Sequence, residues 1–411
     1  MNSNKYILLV GCSGFIGKCI IYLLLKQTNC TLYIVLRSKN GVNINNRLIN
    51  ILTDLNLCKD YSKRIKLIQV EYEKETMNIL IDDKDKQNII NNIDCLINGL
   101  ADINFTRPLI KAIKNNTLTA LKWLDLLSQC KNVTTYIYIS TAYVNYHLDR
   151  QIIEEKIYET NMNYNTLTDI LNKKITNIKP YSNTYCYTKQ LTEILLTQKR
   201  NNINLHILRP SIVCPAYQYP YCGYGELQTI NLIFFGIATG TLSFIDIDLN
   251  TKFNSIIPVD IVAERCITKI TDKNNYTIEH ISYNIQDCTS GDCYTIMTNL
   301  YYKTLKDNLI IQGKKYRPFR PYMTTNSFYQ LISIIHLIII KLLNGASFYQ
   351  IYKSLIFTYK YREYVQFIKK DIIFNTKHQY ECHDILNIFE TYIDKYLISQ
   401  IELNPLFLKN I

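Results

Sequence analysis

The 411-residue chain predicts a doubly wound α/β fold: a parallel sheet with helices on both faces, a smaller substrate region and a helical C-terminal part. Three observations carry that expectation. An apolar strand near the N-terminus, Tyr6-Ile7-Leu8-Leu9-Val10, runs through a glycine loop straight into a helical segment. Short β-branched runs then alternate with amphipathic stretches of helical length. From residue 319 onward that alternation gives way to longer helical segments rich in Tyr, Lys and Ile. The expected division is therefore 1–318 for the sheet domain with its substrate region, and 319–411 for the helical domain.

The glycine loop is Gly11-Cys12-Ser13-Gly14-Phe15-Ile16-Gly17, in a chain with only 12 glycines. A strand, a tight glycine turn and a helix N-terminus make a place for a pyrophosphate. Glycine lets the backbone approach the ligand, and the unpaired helix N–H groups favour negative charge. An ordinary strand-to-helix turn has the same outline, so the loop needs support from the rest of the chain. That support begins with Thr31-Leu32-Tyr33-Ile34-Val35-Leu36, a second buried strand that ends in Arg37-Ser38-Lys39. At the end of the second strand an acidic residue suits the ribose of NAD, whereas arginine suits a 2′-phosphate. Arg37 and Lys39 thus favour NADPH over NADH.

Residues 45–57 read as helix, 65–70 as a third strand and 94–99 as a fourth, which closes on Gly99 and Leu100. A long helix is expected over 108–129, carrying Asn115 and Asn116. Thr135-Tyr136-Ile137-Tyr138-Ile139 is a strand by alternation and β-branching, tipped by Ser140 and Thr141. Ligands of such sheets sit at the carboxyl ends of the strands, where the glycine loop and Ser140-Thr141 both fall. A helix capped near Ser182 would place Tyr185 and Lys189 on one face, four residues apart. An ammonium there would lower the pKa of the phenol and make it a usable acid. The same spacing recurs at Tyr22/Lys26, Tyr302/Lys306 and Tyr349/Lys353, as expected with 34 tyrosines. Only Tyr185/Lys189 follows a hydroxyl-tipped strand and precedes another buried one, over 204–213.

Composition bounds the partners. With 47% hydrophobic residues there is material for a substantial core, and the net charge of +12 suits a phosphorylated substrate or an anionic surface. No aromatic-studded basic cluster points to nucleic acid. The 13 cysteines show no Cys-x-x-Cys pair; the closest two, Cys288 and Cys293, do not read as a metal site. Scattered cysteines and an early core strand lead to the expectation of a protein that is not secreted.

These segments together resemble the extended short-chain dehydrogenases/reductases, a superfamily with a Rossmann fold, and within it the fatty acyl-CoA reductases of the male sterility family. The resemblance rests on residues 10–17, on Ile139-Ser140-Thr141-Ala142-Tyr143-Val144-Asn145, and on Asn183-Thr184-Tyr185-Cys186-Tyr187-Thr188-Lys189. Leu208-Arg209-Pro210-Ser211-Ile212-Val213 and Ile256-Ile257-Pro258-Val259-Asp260 complete it. It implies Tyr185 as the acid, Lys189 as its partner, Thr141 with Ser140 as the hydroxyl pair, and Asn116 as the residue completing the catalytic set. It implies cofactor contacts from Gly11, Ser13, Gly14, Phe15, Ile16, Gly17, Arg37, Lys39, Gly99, Leu100, Lys189, Pro210, Ser211, Ile212 and Val213. Val10, Asn98, Leu100 and Thr119 depart from the family pattern around the cofactor.

The reaction so implied is reduction of a long-chain acyl-CoA to fatty alcohol by NADPH, without a metal. A hydroxysteroid dehydrogenase or a nucleotide-sugar epimerase/dehydratase uses the same scaffold, and a catalytically silent dinucleotide-binding regulator is the reading from another class. Dehydratases place an acidic pair after the catalytic threonine; here Ala142-Tyr143 follow Thr141. In the C-terminal part, 328–343 is strongly apolar, interrupted by Gln330, Ser333, His336 and Lys341. His336 reads as a polar interruption. The run is short for a bilayer span; a span, a buried helix, a monotopic anchor and a hairpin all stay open. Asn344-Gly345 reads as a helix end, followed by helices over 347–370 and 383–401. Their basic and aromatic residues suit a membrane surface, and the resemblance implies an active site facing the cytosol on endoplasmic reticulum or peroxisome.

Overall fold

The computed structural model describes residues 5–57, 59–148, 150–226, 242–246, 250, 255–283, 310–311, 314–315, 322–343, 345, 347–365, 367, 372–377, 388 and 391. Cys288, Cys293 and all of the expected 383–401 helix except residues 388 and 391 lie outside them. The chain divides into two compact units: Met1–Ser211 with Val259–Ile281 and Asn375–His378, and Ile212–Pro258 with Ser282–Phe374 and Gln379–Ile411. The units therefore interleave along the chain rather than meeting at residues 318 and 319.

The first unit is built on seven parallel strands: β1 (Tyr6–Val10), β2 (Thr31–Leu36), β3 (Ile65–Gln69), β4 (Cys95–Asn98), β5 (Thr135–Ile139), β6 (Asn204–Pro210) and β7 (Tyr276–Ile281). Their order across the sheet is β7-β6-β5-β4-β1-β2-β3. The winding reverses between β1 and β4, and the crevice of a doubly wound sheet opens at such a switch point. The doubly wound Rossmann expectation holds.

Helices α1 (Phe15–Gln27), α2 (Ile44–Asp54), α3 (Asp83–Asn92), α5 (Thr184–Lys199) and α6 (Val259–Lys269) link the strands. Between α3 and α5, residues 109–127 form one long helix, α4, as expected. Because side chains alternate along a strand, each sheet face has its own packing. Leu8, Val10, Leu96, Tyr136, Tyr138, Leu205 and Ile207 meet Trp123, Leu124 and Leu127 of α4 and Leu191 and Leu195 of α5 in one cluster. Helix α1 packs along α6.

Two expectations shift. Helix α5 is capped by Asn183, whose side-chain oxygen accepts from the Cys186 N–H at 2.8 Å, one residue after Ser182. The strand expected over 204–213 stops at Pro210. Beyond it the Ser211 N–H bonds the carbonyl of Ile281 in β7, and the Ile212 N–H bonds that of Ser255. The chain changes partners at Ser211, so Ile212 and Val213 belong to the second unit.

In that unit Ile212–Cys214 pairs in parallel with Ile256–Pro258, and Phe244–Ile245 with Tyr322–Met323. Helices α7 (Ser327–Leu343) and α8 (Phe348–Val365) pack beside the latter pair. Gly345 follows α7 with a φ of +75°, the left-handed conformation of a helix C-terminus. Among the described residues no helix is long and apolar enough to cross a membrane.

Candidate active site

The glycine loop has a reason for each of its glycines. Gly11 has a φ of +85°, and a Cβ there would lie 2.5 Å from the backbone carbon of Gly99. A Cβ on Gly17 would overlap the Gly11 carbonyl and sit 2.8 Å from the Cys12 Cα, so Gly17 brings α1 against the loop. At Gly14 a Cβ would meet only the Gly11 oxygen, at 3.5 Å; the loop is open on that side. Gly14 is also the N-cap of α1 and offers no side-chain cap to the helix N-terminus. A tight turn, an open backbone and a close helix are what a pyrophosphate cradle requires. The floor comes from β4: the Gly99 N–H donates to the Val10 carbonyl at 2.9 Å, and the Leu100 N–H to the Asn98 side chain at 3.0 Å. Of the other loop residues, Ser13 is exposed, Phe15 buried and Ile16 half-buried. Cys12 is sealed beneath the loop with its thiol on the Val35 carbonyl, and burial pushes its pKa up to about 12.

At the end of β2, Lys39 and Val42 exchange backbone hydrogen bonds around Asn40 and Gly41, both with positive φ. This two-residue turn leaves Arg37 and Lys39 exposed. A third cation is present that the sequence did not single out. Arg47 of α2 donates to the Arg37 carbonyl at 2.5 Å, and its charge reaches the Cys12 thiol beneath the loop. Its position inside an amphipathic helix carried no signal of this.

Across the sheet, the carboxyl end of β5 and the start of α5 form the second half of the site. Thr141 caps the short turn Ala142–Asn145, accepting from the Tyr143 N–H, and its hydroxyl acts on the Tyr185 phenol. The Tyr185 ring lies 5.7 Å from that of Phe105. Burial raises the phenol above its ordinary value, the Cys186 thiol adds to this, and the Thr141 hydrogen bond pulls the other way. Lys189 does not produce the depression expected from its spacing. Its ammonium donates to the Ile139 carbonyl at 2.5 Å and lies 4.2 Å from the centre of the Tyr138 ring. Burial lowers the Lys189 pKa to about 7, against the pull of Glu193.

Asn116 reaches the site through its neighbours. Residues Ile113–Leu118 of α4 form a π-helical turn, a local widening that recurs at functional sites. The Thr119 hydroxyl closes it on the Lys114 carbonyl at 2.9 Å. Within the turn the buried Asn116 side chain accepts from the Asp102 N–H at 2.7 Å and donates to the Thr188 hydroxyl at 3.0 Å, beside Lys189. Asp102 is itself clamped by Arg107, at 2.6 and 3.2 Å, and by Asn115 at 2.9 Å. Burial opposes its charge, but Arg107 and Asn115 hold the carboxyl below its usual range. The Thr184 hydroxyl then bonds the carbonyls of Phe105 and Arg107. Asp102, Phe105, Arg107 and Thr188 thus form a buttress that no sequence motif announced.

Ser140 and Ser211 end the neighbouring strands β5 and β6, Ser211 just after Pro210. Both are buried, and neither hydroxyl has a partner among the described residues. Two unmatched hydroxyls, a buried lysine and an open glycine cradle at the carboxyl ends of one sheet fit a polar, phosphate-bearing ligand such as a nicotinamide dinucleotide.

Comparison with known proteins agrees. Residues 9–266 match the NAD-binding domain family described as male sterility protein. Fatty acyl-CoA reductase wat of Drosophila melanogaster is 27% identical over 307 residues, 69% of this chain and 58% of its own length. Human fatty acyl-CoA reductase 1 is 27% identical over 276 residues, covering 63% of this chain and 53% of its own length. The chain thus spans little more than half the length of these relatives. Among solved structures, the terminal reductase domain of the myxalamid biosynthetic pathway aligns with 98% of this chain and 92% of its own, with a TM-score of 0.71 at 16% identity. A thiolation-reductase di-domain of an archaeal non-ribosomal peptide synthetase aligns with 96% of this chain and 76% of its own, with a TM-score of 0.61 at 16% identity. At such identities the likeness concerns the fold.

Proposed function

The chain belongs to the male sterility protein family, within the extended short-chain dehydrogenases/reductases, and from that premise we propose that it reduces long-chain acyl-CoA to fatty alcohol with NADPH. The observation that carries the chemistry is the buried Tyr185 phenol at the carboxyl end of β5, on which the Thr141 hydroxyl acts.

When bound, NADPH supplies a hydride to a carbonyl carbon. The residues of this chain would do the rest. Thr141 and Tyr185 present two O–H groups to the thioester oxygen as it gains charge. The raised pKa keeps the Tyr185 phenol protonated at neutral pH, the state a proton donor needs. Collapse of the resulting hemithioacetal releases coenzyme A as its thiol and leaves the aldehyde; a second reduction yields the alcohol. Lys189, whose ammonium donates to the Ile139 carbonyl beside Ser140, would hold a ribose hydroxyl. The Asp102–Arg107 clamp and Asn116 hold the loop before α4 and the start of α5 in register. Fixing both reactants in contact supplies much of the rate.

Gly11, Gly14, Gly17, Gly99 and Leu100 would hold the pyrophosphate side of the cofactor, and Arg37, Lys39 and Arg47 its 2′-phosphate. A membrane setting with the site facing the cytosol belongs to the same proposal and is supported by the family resemblance. Incubating the protein with palmitoyl-CoA and NADPH and analysing the lipids tests the reaction: fatty alcohol is expected, fatty aldehyde would shorten the proposed sequence, and neither product would overturn it. Arg37→Ala should raise the KM for NADPH about tenfold with little effect on that for NADH. An unchanged preference would remove the 2′-phosphate assignment.

A further inference from the structure

After β7 the chain leaves the first unit and comes back to it once more, for Asn375–His378. This return segment is tied to the edge of the sheet. The Asn375 N–H donates to the Ile153 carbonyl at 2.8 Å, and the Thr376 hydroxyl donates to the His280 carbonyl at 3.1 Å. The Asn375 carbonyl lies 2.8 Å from Nδ1 of the His280 ring. His280 is fully buried in β7, and its N–H donates to the Glu155 side chain at 2.8 Å. In the register of β7 and β6 it stands directly beside Arg209.

The bonds of the ring have a direction. A carbonyl only accepts, so the proton of the neutral imidazole sits on Nδ1 and Nε2 keeps its lone pair. Burial and the Arg209 guanidinium push the His280 pKa down to about 3, against the pull of the Asn375 carbonyl, so the ring is neutral at working pH. Nε2 then accepts from Nη1 of Arg209 at 3.5 Å. Nη1 also donates to the Lys156 carbonyl at 3.1 Å. Nε and Nη2 grip the two carboxylate oxygens of Glu193 at 3.0 and 2.6 Å. Arg209 and Glu193 are both buried, and the fork between them is bidentate.

Glu193 follows Lys189 by one turn of α5, and its charge favours the ammonium form of the lysine. A glutamate free to move at that spacing closes onto its lysine. Here the fork fixes the carboxylate on β6, and the Lys189 ammonium donates to the Ile139 carbonyl at the end of β5 instead. We propose that His280 is a positioning residue: seated by the return segment, it holds Arg209 on Glu193, and so keeps Glu193 from drawing Lys189 away from the end of β5.

Desolvation offsets most of the attraction within a buried ion pair, so what Arg209 and Glu193 gain from each other is placement rather than stability. The placement matters because Lys189 lies in the same helix. The return segment supplies the acceptor that sets the tautomer of His280, and a histidine with its proton on Nε2 would turn a donor against the guanidinium. A part of the chain far beyond the sheet thereby acts on the catalytic helix through His280, Arg209 and Glu193 in turn. This rests on the reading that Lys189 holds the cofactor, and on no particular acyl substrate.

Two substitutions in the full chain separate the two ends of the ring. His280→Asn keeps a donor for the Asn375 carbonyl and loses the acceptor for Arg209; His280→Gln keeps an acceptor for Arg209 and loses the donor. NADPH affinity is read by fluorescence titration, which needs no acyl substrate, and so stands apart from whether palmitoyl-CoA is reduced. His280→Asn should weaken NADPH binding about tenfold, and lower kcat with palmitoyl-CoA about tenfold at a KM for palmitoyl-CoA within about twofold of wild type. His280→Gln should stay within about twofold of wild type in affinity and kcat, although its melting temperature falls. Equal loss of affinity in the two variants, or none in a folded His280→Asn protein, would overturn the proposal. Lower melting temperatures with unchanged affinity and kcat would do the same, since that is the mark of a purely structural histidine. If His280→Asn does not fold, Thr376→Val loosens His280 from the side of the return segment and should weaken NADPH binding about threefold. An unchanged affinity in that variant would likewise overturn it.

Discussion

Helices α5 and α7 both bury polar side chains, and they do so for opposite reasons. In α5 the residues Thr188, Lys189, Gln190, Thr192 and Glu193 are all buried, because protein surrounds the helix. Thr188 accepts from Asn116 of α4, and the other four reach to four different elements. Lys189 bonds the end of β5, Gln190 the Asn145 side chain, Thr192 the Thr117 hydroxyl of α4, and Glu193 the Arg209 guanidinium of β6 at 2.6 and 3.0 Å. In α7 Gln330, Ser333 and Leu337 are buried while Leu331, Ile335 and Ile339 are about half exposed, and the buried polar groups, bonded to Asp246 and Ser243, set the direction in which the apolar side points. The first arrangement fixes a reactive constellation; the second presents a surface. Burial of polar groups in a helix is therefore not one signal but two, separated by what lies on the opposite side.

Breaking α5 should have the largest effect. Tyr185→Phe removes one O–H donor and little volume, so acyl-CoA-dependent NADPH oxidation should fall about 1,000-fold while NADPH affinity, read by fluorescence titration, changes little. Retained turnover would take Tyr185 out of the mechanism. Lys189→Met should separate stability from activity. The Lys189 pKa is about 7 in the folded chain against an ordinary 10.5, so between those values the unfolded chain binds more protons. Stability contributed by this group therefore falls as pH drops from 10.5 to 7 and stays low below that. Without ligand, the methionine variant should gain on wild type over that window by the order of a few kcal/mol, and turnover should fall at least about 100-fold. Melting temperatures with the same pH slope for both proteins would show that the buried ammonium carries no such penalty.

The same contrast explains what could be read from the sequence. The sheet was legible because its strands are short and its central ones are buried on both faces; β5 runs over the five residues expected. The glycine loop was legible because glycine is rare in this chain, and two of its three glycines, Gly11 and Gly17, answer a steric demand. Partner choice was not legible. Nothing in Leu208-Arg209-Pro210-Ser211-Ile212 says that the backbone leaves β7 for Ser255 at Ser211. Nor could the spacing of Tyr185 and Lys189 show that the ammonium turns to the Ile139 carbonyl, since that depends on where β5 ends in space. The π-helical turn at Asn116 depends likewise on Asp102 and Thr188, which are remote or a helix away. In α7 the apolar run was visible, but the side it presents was decided by Ser243, Asp246 and Thr358, far away in the chain.

The finest test of the contrast lies within α7 itself, at two residues one half-turn apart. Leu337 is fully buried and Ile339 is 49% exposed. Leu337→Ala should cost about 2–4 kcal/mol in denaturant unfolding, as a core truncation does. Ile339→Gln should stay within about 0.5 kcal/mol of wild type in lipid-free solution, because that side chain is exposed. An exchange of the two values would mean that the helix is turned inward in solution and that α7 packs as α5 does. Equal, large losses would mean that both sides are covered by protein. Only the unequal pair is consistent with a helix whose polar side holds it to the fold and whose apolar side faces outward.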